Sequence, residues 1–195
     1  MESALLLISG FGAFEGVEEN PSGALARTLD GDPGVVGVEL PVTFRGSAQA
    51  WDEALAGLAP RRPVALLSLG VHPRASFRLE RFAGATLSMD RPDCAGETGA
   101  EVSGSMGGGP GDLATTFELE PLADALRAGG WEGEVEHSQD AGGFVCQRIY
   151  RHVLVRGAEL GVPGLFLHVP PLAAAPLERQ AGPVRALVDA LRAQV

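Results

Sequence analysis

The stretch EVEHSQDAGGFVCQRIYRHVL, Glu134 to Leu154, reads as strand, glycine break and helix. Glu134 to Ser138 has the polar alternation of a strand, Ala141-Gly142-Gly143 interrupts it, and a helical pattern runs from Gly143 to Leu160. Cys146 falls at the start of that helix. Backbone N–H groups in a first helical turn lack intrahelical partners and the macrodipole there favours negative charge, so a cysteine so placed can act as a nucleophile.

The same alternation extends along the chain. Strands are expected at Ala4 to Ser9, Val35 to Pro41, Val64 to Leu69, Leu79 to Ser88, Glu134 to Ser138 and Leu165 to Val169. Helices are expected at Pro21 to Leu29, Ser47 to Leu58, Pro121 to Ala128, Gly143 to Leu160 and Pro183 to Ala193. Short apolar strands alternating with helices describe a layered α/β fold, and strands apolar throughout belong at its centre. Asn20-Pro21 is a start signal, an N-cap residue followed by proline at the first helical position. Residues 89 to 112, rich in glycine at Gly104, Gly107, Gly108, Gly109 and Gly111, have no clear periodicity and read as a long surface loop. A length of 195 residues suits one domain, residues 1–195, with a sizeable core.

Composition removes several functions. A formal charge of −10 with no basic cluster argues against a nucleic-acid partner. Two cysteines, Cys94 and Cys146, make no disulfide framework, and MESALLLISG lacks a cationic flank or cleavage site, so a reducing cytoplasm is expected. The apolar runs are far shorter than the roughly 20 residues of a membrane helix, and no membrane association is expected. All 15 basic residues are arginine, which eliminates Schiff-base lysines, the Walker A lysine and Ser-Lys dyads. Ser103-Gly104-Ser105-Met106-Gly107 lacks the first glycine of a serine-hydrolase elbow. The nucleophile that remains is cysteine.

Gly10-Phe11-Gly12-Ala13-Phe14-Glu15-Gly16 follows a strand, but its third glycine comes one residue too late for a dinucleotide fingerprint. It reads as a tight loop bearing two rings, Phe11 and Phe14, which either pack in the core or flank a small flat ligand. A thiol nucleophile needs a base, and the base an orienting acceptor. Of four histidines, His152 lies six residues along the helix from Cys146 and reads as a surface residue, His137 as an exposed or satisfied strand residue, and His72 as a turn residue with no partner signal. His168 ends an apolar strand, where α/β sheets open their ligand crevice, and is the candidate base. Glu80, between Arg78 and Arg81, is either an exposed salt-bridging residue or the acid that orients an imidazole. Arg91 could stabilise an oxyanion.

Taken in order, Ser9 to Phe14, Asn20-Pro21-Ser22, Leu40-Pro41-Val42, Leu79-Glu80-Arg81, Ala141-Gly142-Gly143-Phe144-Val145-Cys146 and Leu167-His168-Val169-Pro170 resemble the pyroglutamyl peptidase I family, over nearly the whole chain. The resemblance implies a three-layer α/β/α sandwich with a mostly parallel, mixed central sheet. It also implies a Cys-His-Glu triad that removes an N-terminal pyroglutamyl residue from peptides through a thioester. Carried over by position, Cys146 is the nucleophile, His168 the base and later acid, and Glu80 the orienting carboxylate. Arg91 corresponds to an arginine near the oxyanion, and Phe11, Phe14, Asn20 and Phe144 to pocket residues. No metal or cofactor is implied; the partners are pyroglutamyl-blocked peptides, and a homo-oligomer, dimer or tetramer, is allowed.

The chemistry is consistent with that expectation. A pyroglutamyl terminus is a lactam without a free amine, so its site needs flat walls and amide partners rather than a carboxylate. The chain departs from the family pattern at Gly143, where a hydroxyl residue is common, at Gln147, where asparagine is usual, in its first glycine loop, and in the shortened Pro92-Asp93-Cys94. Two other functions stay open: a non-catalytic lactam- or amide-binding relative, and a thiol hydrolase of another small acyl amide or ester.

Overall fold

The computed structural model describes residues 4–88 and 90–195. In chain order its elements are β1 (Leu6–Phe11), α1 (Pro21–Leu29), β2 (Val35–Leu40), α2 (Phe44–Gly57), β3 (Ala65–Val71), β4 (Ser76–Glu80), β5 (Phe82–Ala83), α3 (Gly99–Val102), β6 (Leu113–Ala114), α4 (Leu119–Ala128), β7 (Glu134–Ser138), α5 (Val145–Leu160), β8 (Gly164–Val169) and α6 (Leu177–Arg192). The six-stranded sheet has the order β2-β1-β3-β8-β4-β7. The first four strands are mutually parallel, β4 runs antiparallel to β8, and β7 is parallel to β4.

Two apolar layers follow from the period of two along the central strands. Leu6 and Ile8 of β1, with Leu67 and Leu69 of β3, pack against Leu25 of α1, Leu122 of α4 and Val184 of α6. Leu7 and Leu66 face the other way, onto Trp51 of α2 and Ile149 and Val153 of α5. The result is helix, sheet, helix, with β1, β3 and β8 buried along nearly their whole length. This is the α/β/α sandwich with a mixed, mostly parallel sheet that the family resemblance implied.

The starts of the helices explain where sequence expectation and structure part. Asn20 caps α1 as expected, its Oδ1 accepting the Ser22 N–H at 3.1 Å with Pro21 behind it. α2 begins at Phe44 rather than Ser47, because Asp93 Oδ2 accepts the Phe44 N–H at 2.6 Å from 49 residues away. Asp93 Oδ1 also accepts from Ala95 N at 2.8 Å and Glu97 N at 3.0 Å, so the short Pro92-Asp93-Cys94 segment serves as a remote cap. α5 begins at Val145 rather than Gly143, since Gly142 (φ 90°) and Gly143 (φ 61°) occupy the left-handed region. α6 begins six residues before Pro183 and carries that proline inside the helix. The expected strand Leu79 to Ser88 is corrected: β4 is Ser76–Glu80, and Phe82–Ala83 leaves the main sheet to pair antiparallel with Leu113–Ala114.

The glycine-rich segment is also more built than a surface loop, leaving aside Met89, which lies outside the described residues. Thr98 and Glu101 form a capping box on α3, and a 3-10 turn follows at Ser103–Ser105. Gly107, Gly108 and Gly109 all have positive φ, and carbonyls of this run converge on one guanidinium. Arg151 of α5, 0% exposed, donates from Nε to Gly107 O at 2.9 Å, from Nη1 to Gly111 O at 2.9 Å and from Nη2 to Gly109 O at 2.6 Å. A planar fork of five donors suits this task, and lysine could not reproduce it. Replacing Arg151 with Leu leaves those carbonyls unpaired and is expected to cost about 2–4 kcal/mol. The check is the urea unfolding midpoint, with faster proteolysis at residues 104–111; an unchanged midpoint would refute it.

Candidate active site

The sheet brings the candidate residues together from four elements. Gly142 and Gly143 turn the chain after β7 so that Phe144 becomes the N-cap of α5 and Cys146 its second residue. The N–H groups of that first turn therefore have no earlier helical carbonyl to bond, and Phe144, Val145 and Cys146 line the cavity. Cys146 is half-buried. Below it lies Gly70 of β3, where an added Cβ would stand 2.9 Å from the Cys146 sulfur and 2.7 Å from the Phe166 ring. That glycine is required by close approach, a demand invisible in the sequence.

His168, near the end of β8, and Glu80, at the end of β4, are 5% and 0% exposed. His168 Nδ1 and Glu80 Oε1 are 2.6 Å apart. Glu80 is therefore not the exposed salt-bridging residue that its arginine neighbours allowed. Its backbone carbonyl accepts from the buried Tyr150 hydroxyl at 2.7 Å, which fixes the end of β4 against α5. The His168 pKa is pushed up to about 9: burial alone would lower it, and the Cys146 sulfur and the Glu80 carboxylate outweigh burial by favouring the protonated ring.

A cavity of about 340 Å³ opens beside these groups and is lined by Phe11, Phe14, Asn20, Phe144, Cys146 and His168 among others. Phe11 does double duty, 3% exposed and part of the core while also forming a wall. Phe14 is held in a tight loop by reciprocal backbone bonds with Val17, of 3.1 and 2.8 Å. Asn20 both caps α1 and donates from Nδ2 to Gly12 O at 3.1 Å, which ties the aromatic loop to the helix. Phe144 packs edge-on to Phe44, centroids 5.3 Å apart, and Arg91 lies 4.0 Å over its other side. Arg91 thus reaches the cavity as a cation stacked on an aromatic wall.

The departures from the family pattern have local explanations. A Cβ on Gly143 would stand 2.6 Å from Ser88 Oγ, so the Ser88 hydroxyl occupies the space a residue 143 side chain would need. Gln147 is 4% exposed and donates from Nε2 to the Thr86 carbonyl, tying α5 to the segment after β5.

The other histidines separate. His137 sits on the edge strand β7, its Nε2 3.6 Å from Glu120. His152 is not a surface residue: its ring lies edge-on to Trp51 at 5.5 Å and its Nε2 is 3.1 Å from Asp52, away from the cavity. His72, which had no partner signal, does line the cavity, and so does Arg78. Arg78 stands two residues before Glu80, on the same strand face, a spacing from which its position was readable. Among the described residues no three His, Cys, Asp or Glu side chains gather as a metal site would require.

A half-buried thiol beside a buried imidazole–carboxylate pair and a cavity defines a class, that of the cysteine-type hydrolases. Comparison with known proteins narrows it: the family model described as pyroglutamyl peptidase matches residues 4–194, and the chain belongs to that family. The pyrrolidone-carboxylate peptidase 1 of Ralstonia nicotianae is 32% identical over 178 residues, covering 87% of this chain and 79% of that protein. The pyrrolidone-carboxylate peptidase of Pseudomonas fluorescens is 29% identical over 199 residues, covering 98% and 91%. Among solved structures, pyrrolidone carboxyl peptidase from Fervidobacterium islandicum AW-1 superimposes with a TM-score of 0.85 at 25% identity, covering 98% of this chain and 99% of that one. Pyroglutamyl peptidase I from Bacillus amyloliquefaciens shares the fold with a TM-score of 0.84 at 22% identity, covering 98% of each chain.

Two outcomes follow from the geometry. Gly70→Ala should displace the Cys146 sulfur and lower the rate of its alkylation by iodoacetamide at least about tenfold, with the fold retained by circular dichroism; an unaltered rate would remove the close-approach argument. A raised folded-state pKa at His168 contributes stability that is complete below about pH 6.5 and lost as pH rises through about 9. The urea midpoint should therefore fall over that window, and fall less in Glu80→Gln; equal slopes in the two proteins would contradict the assignment.

Proposed function

We propose that this chain is a cysteine peptidase that removes N-terminal pyroglutamyl residues from peptides, working as one peptidase unit in the cytoplasm. The observation that carries the reading is the 2.6 Å contact between buried His168 and Glu80 beside Cys146 and an aromatic-walled cavity. Names of the relatives support the substrate class, since those proteins are called pyrrolidone-carboxylate peptidases.

In this reading Phe11, Phe14 and Phe144 enclose the flat lactam, and Asn20 keeps the first two in place. The Cys146 sulfur attacks the exocyclic carbonyl. The Cys146 N–H at the start of α5 and the Arg91 guanidinium stabilise the oxyanion, an effect worth several kcal/mol in such sites. Collapse forms the thioester and breaks the C–N bond, and protonated His168 gives its proton to the departing amine. The imidazole then takes a proton from water, which hydrolyses the thioester and regenerates the thiol. Glu80 holds His168 Nδ1–H, fixing the tautomer and stabilising the imidazolium. The peptide leaves with a new amino terminus. A homo-oligomer is compatible with this reading and is not required by it.

Release of aminomethylcoumarin from its pyroglutamyl derivative is the direct test. The wild-type chain should release it, Cys146→Ser should lose at least about 10³-fold in kcat/KM, and Glu80→Gln should retain more activity than Cys146→Ser. An inactive wild-type chain that cleaves a different acyl amide would overturn the substrate and leave the hydrolase class standing.

A further inference from the structure

The cavity holds a second imidazole for which the reaction above has no use. His72 follows β3, and its ring lies 5.5 Å from that of His168 at 54°. Both of its nitrogens face donors. His72 Nε2 is 2.6 Å from Arg78 Nη1, and Nδ1 is 3.2 Å from the backbone N–H of Arg74. A guanidinium and a peptide N–H can only donate. A neutral ring can accept only one of the two: a lone pair on Nε2 takes the shorter Arg78 contact, and the proton on Nδ1 then leaves the Arg74 N–H unpaired. An imidazolium would satisfy neither, because both contacts would then set donor against donor.

Arg78 is itself held. Its Nη2 donates to Ser138 Oγ at 2.6 Å, and its Nε lies 3.6 Å from Glu136 Oε2 and 3.9 Å from Glu80 Oε1. It stands opposite His168 in the β4–β8 register, with its side chain mostly buried. The guanidinium cannot turn aside to make room for a proton on Nε2 without giving up these partners.

We infer that Arg78 is a positioning residue that keeps His72 uncharged, so that His168 is the imidazole in this cavity that carries the proton during the reaction. The other groups facing His72 are Arg74 from its own turn, His168 from β8, and Glu136 from β7. Cys146 of α5 and Asp140 of the loop after β7 line the same cavity. The balance favours the neutral ring: burial first, then Arg78 and His168, lower the His72 pKa to about 4, against which Glu136 acts in the opposite sense. The consequence concerns the neighbour. A second cation 5.5 Å from His168 would weaken the imidazolium that the Cys146 sulfur and Glu80 stabilise.

The activity arm of the test rests on the reaction proposed above; the spectroscopic arm does not. Long-range ¹H–¹⁵N spectra of the wild-type protein with labelled histidine should show His72 as the neutral Nδ1–H tautomer down to about pH 5, and in Arg78→Gln its titration should move upward, with burial and His168 still holding it below the ordinary value. In kcat/KM against pH, Arg78→Gln should show an additional acid-side ionisation at the pH where His72 titrates in that variant, which Arg78→Gln/His72→Asn should lack whatever its absolute rate. A wild-type His72 that titrates near 6.5, or that carries its proton on Nε2, overturns the inference, and the wild-type spectrum decides this even if Arg78→Gln does not fold. A His72 titration that moves in Arg78→Gln with no change in the pH profile overturns the part that concerns the reaction. A chain inactive on pyroglutamyl substrates would refute the proposed function and leave the spectra decisive.

Discussion

The structure depends on one buried contact, the 2.6 Å pairing of His168 with Glu80. A carboxylate with 0% exposure carries a large desolvation cost, which a charge-assisted hydrogen bond to the imidazole offsets. To make it, the sheet accepts an irregularity. Four strands run parallel, as βα crossovers dictate, and then β4 enters the other way beside β8, with Glu80 at its end. Tyr150 fixes the carbonyl of the same residue from the helix that carries Cys146. Strand reversal, buried tyrosine and thiol-bearing helix thus converge on one carboxylate.

Around that contact single side chains from distant segments order the backbone. Asp93 caps α2 from a distant loop, and Ser88 fills the space beside Gly143. The glycines from 107 to 109 turn carbonyls toward Arg151, so a segment poor in side chains is ordered by one buried cation. The guanidinium replaces the hydrophobic packing that such a segment cannot supply. Because Arg151 lies on α5, the glycine-rich run and the thiol are tied to the same helix.

Much of this was legible in the sequence where local rules apply. The Asn20 cap, the β1 to α1 order, the glycine break before Cys146 and the strand leading to His168 all follow from turn chemistry and periodicity. The three-layer arrangement and the joining of Glu80 with His168 rested on family likeness, since no spacing rule links residues 88 positions apart. What was illegible is long-range. The Asp93 cap moved the start of α2 by three residues, and the capture of Phe82–Ala83 by Leu113–Ala114 cut short a strand whose own pattern continued. His152 looked exposed by helical phase, yet Trp51 of α2 packs against it. Gly70 carries no local sign of its role, because the atom it accommodates comes from a helix 76 positions later, by the difference between residues 146 and 70.

The placement of Glu80 also bears on when the thiol becomes dangerous to its surroundings. The orienting carboxylate arrives only when β4 is inserted between β8 and β7, a pairing distant along the chain and therefore slow to close. Until then the imidazole has no fixed tautomer and the cavity lacks the β4 side of its wall. The catalytic set and the sheet therefore share one requirement: the strand that reverses direction is also the strand that carries the carboxylate.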